Sequence, residues 1–259
     1  MPSLARTGRA TGLVLAGVMS SGCTERSATE PDAFVPDARL ASGSSDSGAS
    51  DGADAAEVDG GVMRQSYRSY LALGSSSTFG SGASEPERAY VRLVATHLRE
   101  LEPELTTLNL GSGGARISRF LEARAKIESF GPEVTTILPF TDFASTPADE
   151  LLSGYATLLD ALGAAGSTVF FGDLRIDSAL VCGAGAGPGG CYPADQQALI
   201  APKNEVIAEL ASSRPFVHVV PIFDQNAAHP EWNAPDGHPN DLGHEYLAQQ
   251  FINAIDSAR

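Results

Sequence analysis

Basic residues are scarce in this chain: 17 Lys and Arg stand against 32 Asp and Glu, for a net charge of −15. Such a field repels a phosphate backbone, which argues against nucleic acid as a partner. Gly111-Ser112-Gly113-Gly114 lacks the full G-x-G-x-x-G and its downstream acid, so a nucleotide cradle is not expected. No internal repeat occurs, and no cofactor motif is present. Cysteine is limited to Cys23, Cys182 and Cys191.

What is present divides into three segments, 1–23, 24–63 and 64–259. Arg6 and Arg9 form a positive start, Thr11 to Met19 a short apolar run, and Ser20-Ser21-Gly22 a small-residue ending before Cys23. That is the order of a secretory signal, and the run is too short to span a bilayer. The ending resembles a bacterial lipobox with Ser20 where Leu is usual. It predicts export and lipidation at Cys23, with anchoring to a membrane facing the periplasm or cell surface; an ordinary signal peptide and a secreted product is the alternative. Residues 24–62 are Ser, Ala, Gly and Asp, with nine acidic and two basic residues. They hold too little apolar surface to offset their chain entropy and are expected to be a disordered tether. Cys182 and Cys191 bracket the loop CGAGAGPGGC. In an oxidising compartment two such thiols are expected to close a disulfide. The rival, a metal site, lacks a nearby His or a second Cys pair.

Residues 64–259 suffice for one domain with a real core. Short apolar runs predict strands at Tyr70–Leu73, Thr106–Leu110, Val134–Leu138, Ser167–Phe171 and Phe216–Val220. Between them, three- and four-residue apolar spacing predicts helices over 85–101, from about Ile117, over 147–162 and 195–211, and finally over 241–255. Alternation of this kind implies βαβ units, a parallel sheet and helices on both faces. Ligands in such sheets bind beyond the strands' carboxyl ends. The turns to search therefore begin at Gly74, Gly111, Pro139, Asp173 and Ile222.

The first turn reads Gly74-Ser75-Ser76-Ser77-Thr78-Phe79-Gly80. A serine at a strand-to-helix transition projects its hydroxyl into the cleft, though the same segment equally suits a plain Ser/Gly turn. The last turn, Asp236-Gly237-His238-Pro239-Asn240-Asp241-Leu242-Gly243-His244, places an acid and a His before the final helix. His is the usual general base near neutral pH, and a carboxylate fixes its tautomer.

Together these segments resemble the first and last blocks of the SGNH (GDSL-like) hydrolase family, G-D-S-x-(T/S)-x-G and D-x-x-H-P-N-x-x-G. The resemblance runs from Tyr70 to the C-terminus, with Ser75 in place of Asp in the first block. It implies a three-layer α/β/α sandwich around a central, mostly parallel five-stranded sheet (flavodoxin-like). Ser76 is the implied nucleophile and His238 the base. Asp236, two residues before His238 rather than three, is the implied acid; Asp241 and His244 keep the three-residue spacing and rank second. Leu108–Gly114 resembles the second block and places an oxyanion-hole glycine at Gly114. Pro139-Phe140-Thr141-Asp142 stands for G-x-N-D, so Thr141 occupies the oxyanion Asn position, beside the Ser76 N–H. The implied activity is hydrolysis of small or carbohydrate-linked carboxylic esters through an acyl-enzyme. A catalytically impaired glycan-binding or scaffold domain, and an acyltransferase, are the alternatives.

Overall fold

In this computed structural model the described residues are 66–175, 181–182, 192–223 and 229–259. The signal segment, Cys23, the tether and Cys191 lie outside them, and with Cys191 the expected disulfide.

The elements, in chain order, are β1 (Ser69–Gly74), α1 (Ser76–Phe79), a 3-10 turn (Pro86–Arg88) and α2 (Tyr90–Arg99). Then come β2 (Thr106–Asn109), α3 (Ile117–Glu122), α4 (Arg124–Phe130), β3 (Val134–Leu138), α5 (Phe140–Ser145), α6 (Ala148–Ala164) and β4 (Thr168–Arg175). The chain ends with β5 (Val181–Cys182), β6 (Tyr192–Pro193), α7 (Ala194–Ser212), β7 (Val217–Phe223), a 3-10 turn (Pro230–Trp232) and α8 (Asp241–Ser257). The main sheet has the order β2-β1-β3-β4-β7, and every pair is parallel. β5 and β6 form a separate two-stranded pair.

Period-2 alternation on β1, β3 and β4 sorts the core into two clusters. Leu71, Leu73, Ile137, Val169 and Phe171 pack with buried residues of α3, α4, α6 and α7. Tyr70, Ala72, Val134, Leu138 and Phe170 pack with α2 and α8. Side chains of a strand point alternately to opposite faces, so a strand buried on both faces must be apolar or have its polar groups paired. Buried hydroxyls on β3 are paired: Tyr70 with Thr136 and Thr135 with Ser167, each at 2.8 Å. The expected sandwich of three layers and five parallel strands is the fold observed.

Several boundaries differ from the sequence reading. The strands expected to end at Phe171 and Val220 run on to Arg175 and Phe223, so Asp173 and Ile222 lie within strands rather than opening turns. The extra residues are paired, Asp173 opposite Pro221 and Leu174 opposite Ile222, and Asp173 Oδ1 accepts the Ile222 N–H. The helix expected over 85–101 is broken at Ala89, whose extended backbone (φ −65°, ψ 138°) separates the 3-10 turn from α2. The helix expected from Ile117 is two, α3 and α4, meeting at Ala123. Helix α5 occupies what was read as a turn.

After β1 the chain pairs β2 on one side, then crosses β1 to place β3 on the other. The β1/β3 boundary is the topological switch point, where the cleft of such a sheet opens.

Candidate active site

β1 ends at Gly74 beside Leu138, the last residue of β3. The chain then turns straight into α1. That turn demands glycine: a Cβ on Gly74 would lie 2.0 Å from Thr78 Oγ1 and 2.7 Å from the Leu138 carbonyl oxygen. Ser76 is the first residue of α1 and half-buried. A first-turn amide has no acceptor within its helix, and among the described residues the Ser76 N–H donates to no other group. Neighbouring Thr78 is fully buried and paired with Tyr90 Oη at 2.8 Å. Asn109, at the end of β2, donates to the Thr78 carbonyl at 2.8 Å and accepts the Gly111 N–H at 2.8 Å. The turn after β2 is thereby stitched to the turn after β1. Gly114 lies further along it, exposed, with φ +68° and open space in front of it.

After β3, Thr141 lies on α5, partly buried. Among the described residues its hydroxyl makes no hydrogen bond. Asp142, the next residue, is 1% exposed and points away into the fold. It accepts from Thr146 Oγ1 at 2.6 Å, Tyr155 Oη at 2.7 Å and the Ile117 N–H at 3.2 Å. This carboxylate ties α5 to the start of α3, and so fixes the Thr141 and Gly114 turns to each other. Burial raises the Tyr155 phenol well above its ordinary value, and the Asp142 charge raises it further. Buried Lys203 of α7 donates to the Asp142 carbonyl at 3.1 Å and also to that of Phe143. Desolvation lowers its pKa, partly offset by the Asp142 charge.

His238 lies on the loop before α8. Asp236 Oδ2 is 3.0 Å from His238 Nδ1, and Asp236 Oδ1 accepts the His238 backbone N–H at 3.1 Å. The Nδ1 contact has ion-pair distance without the angle of a good hydrogen bond. The backbone N–H first, and then the side chain, of His238 hold the Asp236 carboxyl below its ordinary value of 3.8. The two-residue spacing works because Gly237 adopts φ +84°, a left-handed conformation that folds the acid back on the ring. The loop closes through Ala234 N–H to His238 O at 2.8 Å and Gly237 N–H to Ala234 O at 2.9 Å. The pair is open to solvent, with side-chain exposures of 32% for His238 and 65% for Asp236.

The second-ranked pair has other duties. His244 is fully buried. Its Nδ1 accepts the Tyr90 N–H at 3.3 Å and its Nε2 faces the Ser81 carbonyl oxygen at 3.1 Å. A carbonyl only accepts, so Nε2 carries the proton and the ring is neutral with both nitrogens engaged. Asp241 accepts from the Ser84 N–H at 2.8 Å and Ser84 Oγ at 2.7 Å. Sequence spacing alone did not separate these structural residues from a catalytic pair; their partners do.

The structure thus joins Asp236 to His238, and joins the Ser76, Gly114 and Thr141 turns through Asn109 and Asp142. It forms no hydrogen bond from Ser76 Oγ to His238, a link that in unliganded sites often tightens only around substrate. Among the described residues no group of three or more His, Cys, Asp and Glu is placed to hold a metal ion.

A parallel α/β/α sheet with these turns gathered at one end defines the class: an SGNH-type hydrolase. The sequence model of the GDSL-like Lipase/Acylhydrolase family matches residues 72–246, and the chain belongs to that family. No curated protein matches it. Similar solved structures include a two-domain esterase (CEX) active on acetylated mannans, at 21% identity and TM-score 0.52, covering 73% of this chain and 48% of that one. The chain thus spans about half the length of that protein. The psychrotrophic esterase EstA from Pseudoalteromonas sp. is similar at 15% identity and TM-score 0.57, covering 74% of this chain and 98% of that one. The acetyl xylan esterase AlAXEase is similar at 18% identity and TM-score 0.56, covering 72% and 99%. At these identities the likeness is one of fold.

Proposed function

We propose that the protein is a serine esterase acting through an acyl-enzyme on small or carbohydrate-linked carboxylic esters. The observation that carries this is the Asp236–His238 pair at 3.0 Å on the last turn, at the end of the sheet where β1 delivers Ser76. His238 takes the Ser76 proton as Oγ attacks the ester carbonyl. The oxyanion is met by the Ser76 and Gly114 N–H groups and the Thr141 hydroxyl. His238 then protonates the leaving alcohol, and water, activated by the same ring, releases the acid. Asp236 holds the ring and stabilises its cation.

One of the similar structures is an esterase active on acetylated mannans and another is an acetyl xylan esterase, which supports acetylated sugars as the substrate class. The reading includes export, a lipid anchor at Cys23 and a flexible tether over 24–63. A second reading, a glycan-binding domain without catalysis, is favoured by one observation: Thr141 stands where the family has Asn. Labelling with a fluorophosphonate probe, followed by peptide mapping, decides between them. An esterase is labelled at Ser76 and releases acetate from acetylated oligosaccharide; an unlabelled, inactive protein that binds the sugar is the second reading.

A further inference from the structure

The segment that follows the nucleophile turn is held by the helix that follows the base. Gly80 and Ser81 both donate their N–H groups to the Ser76 carbonyl, at 3.0 and 2.9 Å. Ser81 is therefore a rigid extension of the Ser76 backbone. From there to Tyr90 the chain runs along the first turns of α8. Asp241, His244 and Glu245 stand at i, i+3 and i+4, one face of a helix. Asp241 holds Ser84, His244 bridges the Ser81 carbonyl and the Tyr90 N–H, and Glu245 pairs with Arg88 at 2.9 Å. The same helix begins at Asn240, whose side chain accepts the Leu242 and Gly243 N–H groups, two residues after His238. The two segments also touch directly. Gly82 has φ +90°, and a Cβ there would lie 3.0 Å from His238 Cβ and 2.2 Å from the Pro239 carbonyl oxygen.

We infer that His244, with Asp241, is a positioning latch that sets the register of Ser76 against His238. This rests on the proposed serine chemistry, but the latch has its own signature. The path from nucleophile to base-bearing helix is three links long: Ser76 C=O to Ser81 N–H, Ser81 C=O to His244 Nε2–H, and α8 to the His238 loop. Exposed ion pairs such as Arg88–Glu245 add little to such a path. The buried His244 bonds are the rigid link, because unmaking them strands buried polar groups. His244 also has to be neutral for this work, since Nδ1 accepts.

The test uses two substitutions that divide the ring's duties. His244→Gln keeps a donor near Nε2 for the Ser81 carbonyl; His244→Asn keeps an acceptor near Nδ1 for Tyr90 and loses the link to Ser81. Both are measured in the full domain for melting temperature, fluorophosphonate labelling rate, and kcat and KM on p-nitrophenyl acetate. A misplacement of 1 Å costs up to about 10²-fold. His244→Asn is expected to lower kcat by about tenfold or more at nearly unchanged KM, and His244→Gln to restore most of it, whichever melts lower. Equal kcat in the two variants, per folded molecule, overturns the latch. If either fails to fold, Asp241→Asn serves as a milder opening of the same segment, with a smaller fall in kcat expected; no fall overturns the latch. Amide exchange at Ser81 and Gly82, faster in His244→Asn than in His244→Gln, reads the latch even if the wild type proves inactive. A wild type without labelling sinks the serine chemistry; equal exchange in the two variants sinks the latch.

Discussion

The turn that carries Ser76 and the loop that carries His238 are built on opposite principles. Around Ser76 nearly everything is packed. β1 is buried along its whole length, Thr78 is fully buried, and Asn109 and Asp142 bond the adjoining turns together. Around His238 the chain is open, and Asp236 is two-thirds exposed. The loop is held by a few backbone bonds, a left-handed glycine and the Asn240 cap. Packing preorganises one half and polar contacts the other. Substitutions in the buried packing around Ser76 should therefore trade stability with activity, whereas side-chain replacements on the exposed His238 loop that leave its backbone unstrained should move activity with the melting curve nearly unchanged.

The largest effects fall on the two groups proposed to meet the substrate. Ser76→Ala and His238→Ala are each expected to remove nearly all ester hydrolysis. The double variant should be little worse than either, because the two act as one unit. Both side chains are accessible enough that melting temperatures should hold. Hydrolysis that survives Ser76→Ala but not Ser77→Ala would put the nucleophile one residue along.

Next comes Thr141, on the packed side but with a hydroxyl that makes no hydrogen bond among the described residues. Thr141→Val should lower kcat by roughly 10²–10³-fold, the cost of one oxyanion donor. Thr141→Asn should preserve or raise it. A Val variant with wild-type kcat would remove this residue from the hole. Its neighbour Asp142 sharpens the contrast, because it should fail differently. Asp142→Ala strands the Ile117 N–H and the Tyr155 hydroxyl, and should destabilise by about 3 kcal/mol in urea titration. A loss of activity without loss of stability would contradict its placement as a brace.

Smaller again is the effect of Asp236→Ala, since the acid orients and stabilises a base already present. Gly237→Ala should imitate it in kcat. It meets no neighbour, but it strains φ by about 1–2 kcal/mol and draws the carboxylate off the ring. If Gly237→Ala leaves kcat untouched while Asp236→Ala lowers it, the left-handed turn is not what makes the shortened spacing work.

How much of this could be read from the residues follows the same division. Packed elements announce themselves by apolar runs, and Val134–Leu138 was legible to the residue. The ends of β4 and β7 were not, because Gly172-Asp173 and Pro221 look like turn residues while standing in parallel register. Helix α5 is six residues long, too short for periodicity to show. The candidate site turns were chosen through their motifs, yet motifs are blind to partners. Asp241-Leu242-Gly243-His244 has the spacing of an acid and base, and only the contacts to Ser81, Ser84 and Tyr90 reveal two braces.

The smallest expected effect is on stability against pH, and it too separates the halves. Desolvation is the main influence on His244 and lowers its pKa below the ordinary 6.5; the Ser81 carbonyl and Asp241 push back, and His238 adds to the lowering. The unfolded chain then takes up a proton near 6.5 that the folded chain refuses. Stability from this group is complete above that pH and is lost progressively as pH falls toward the lower folded value. Asp236 and Asp241 are also lowered, from 3.8. Their contribution is present above that value and is lost only in stronger acid. Melting curves from pH 8 to 5 should therefore fall for the wild type and stay flatter for His244→Gln, which has nothing to protonate there. Asp236→Ala should parallel the wild type throughout that range, because its carboxylate stays ionised. If His244→Gln falls as steeply as the wild type, the acid-sensitive group lies elsewhere, and the buried ring is not the neutral brace between the two halves.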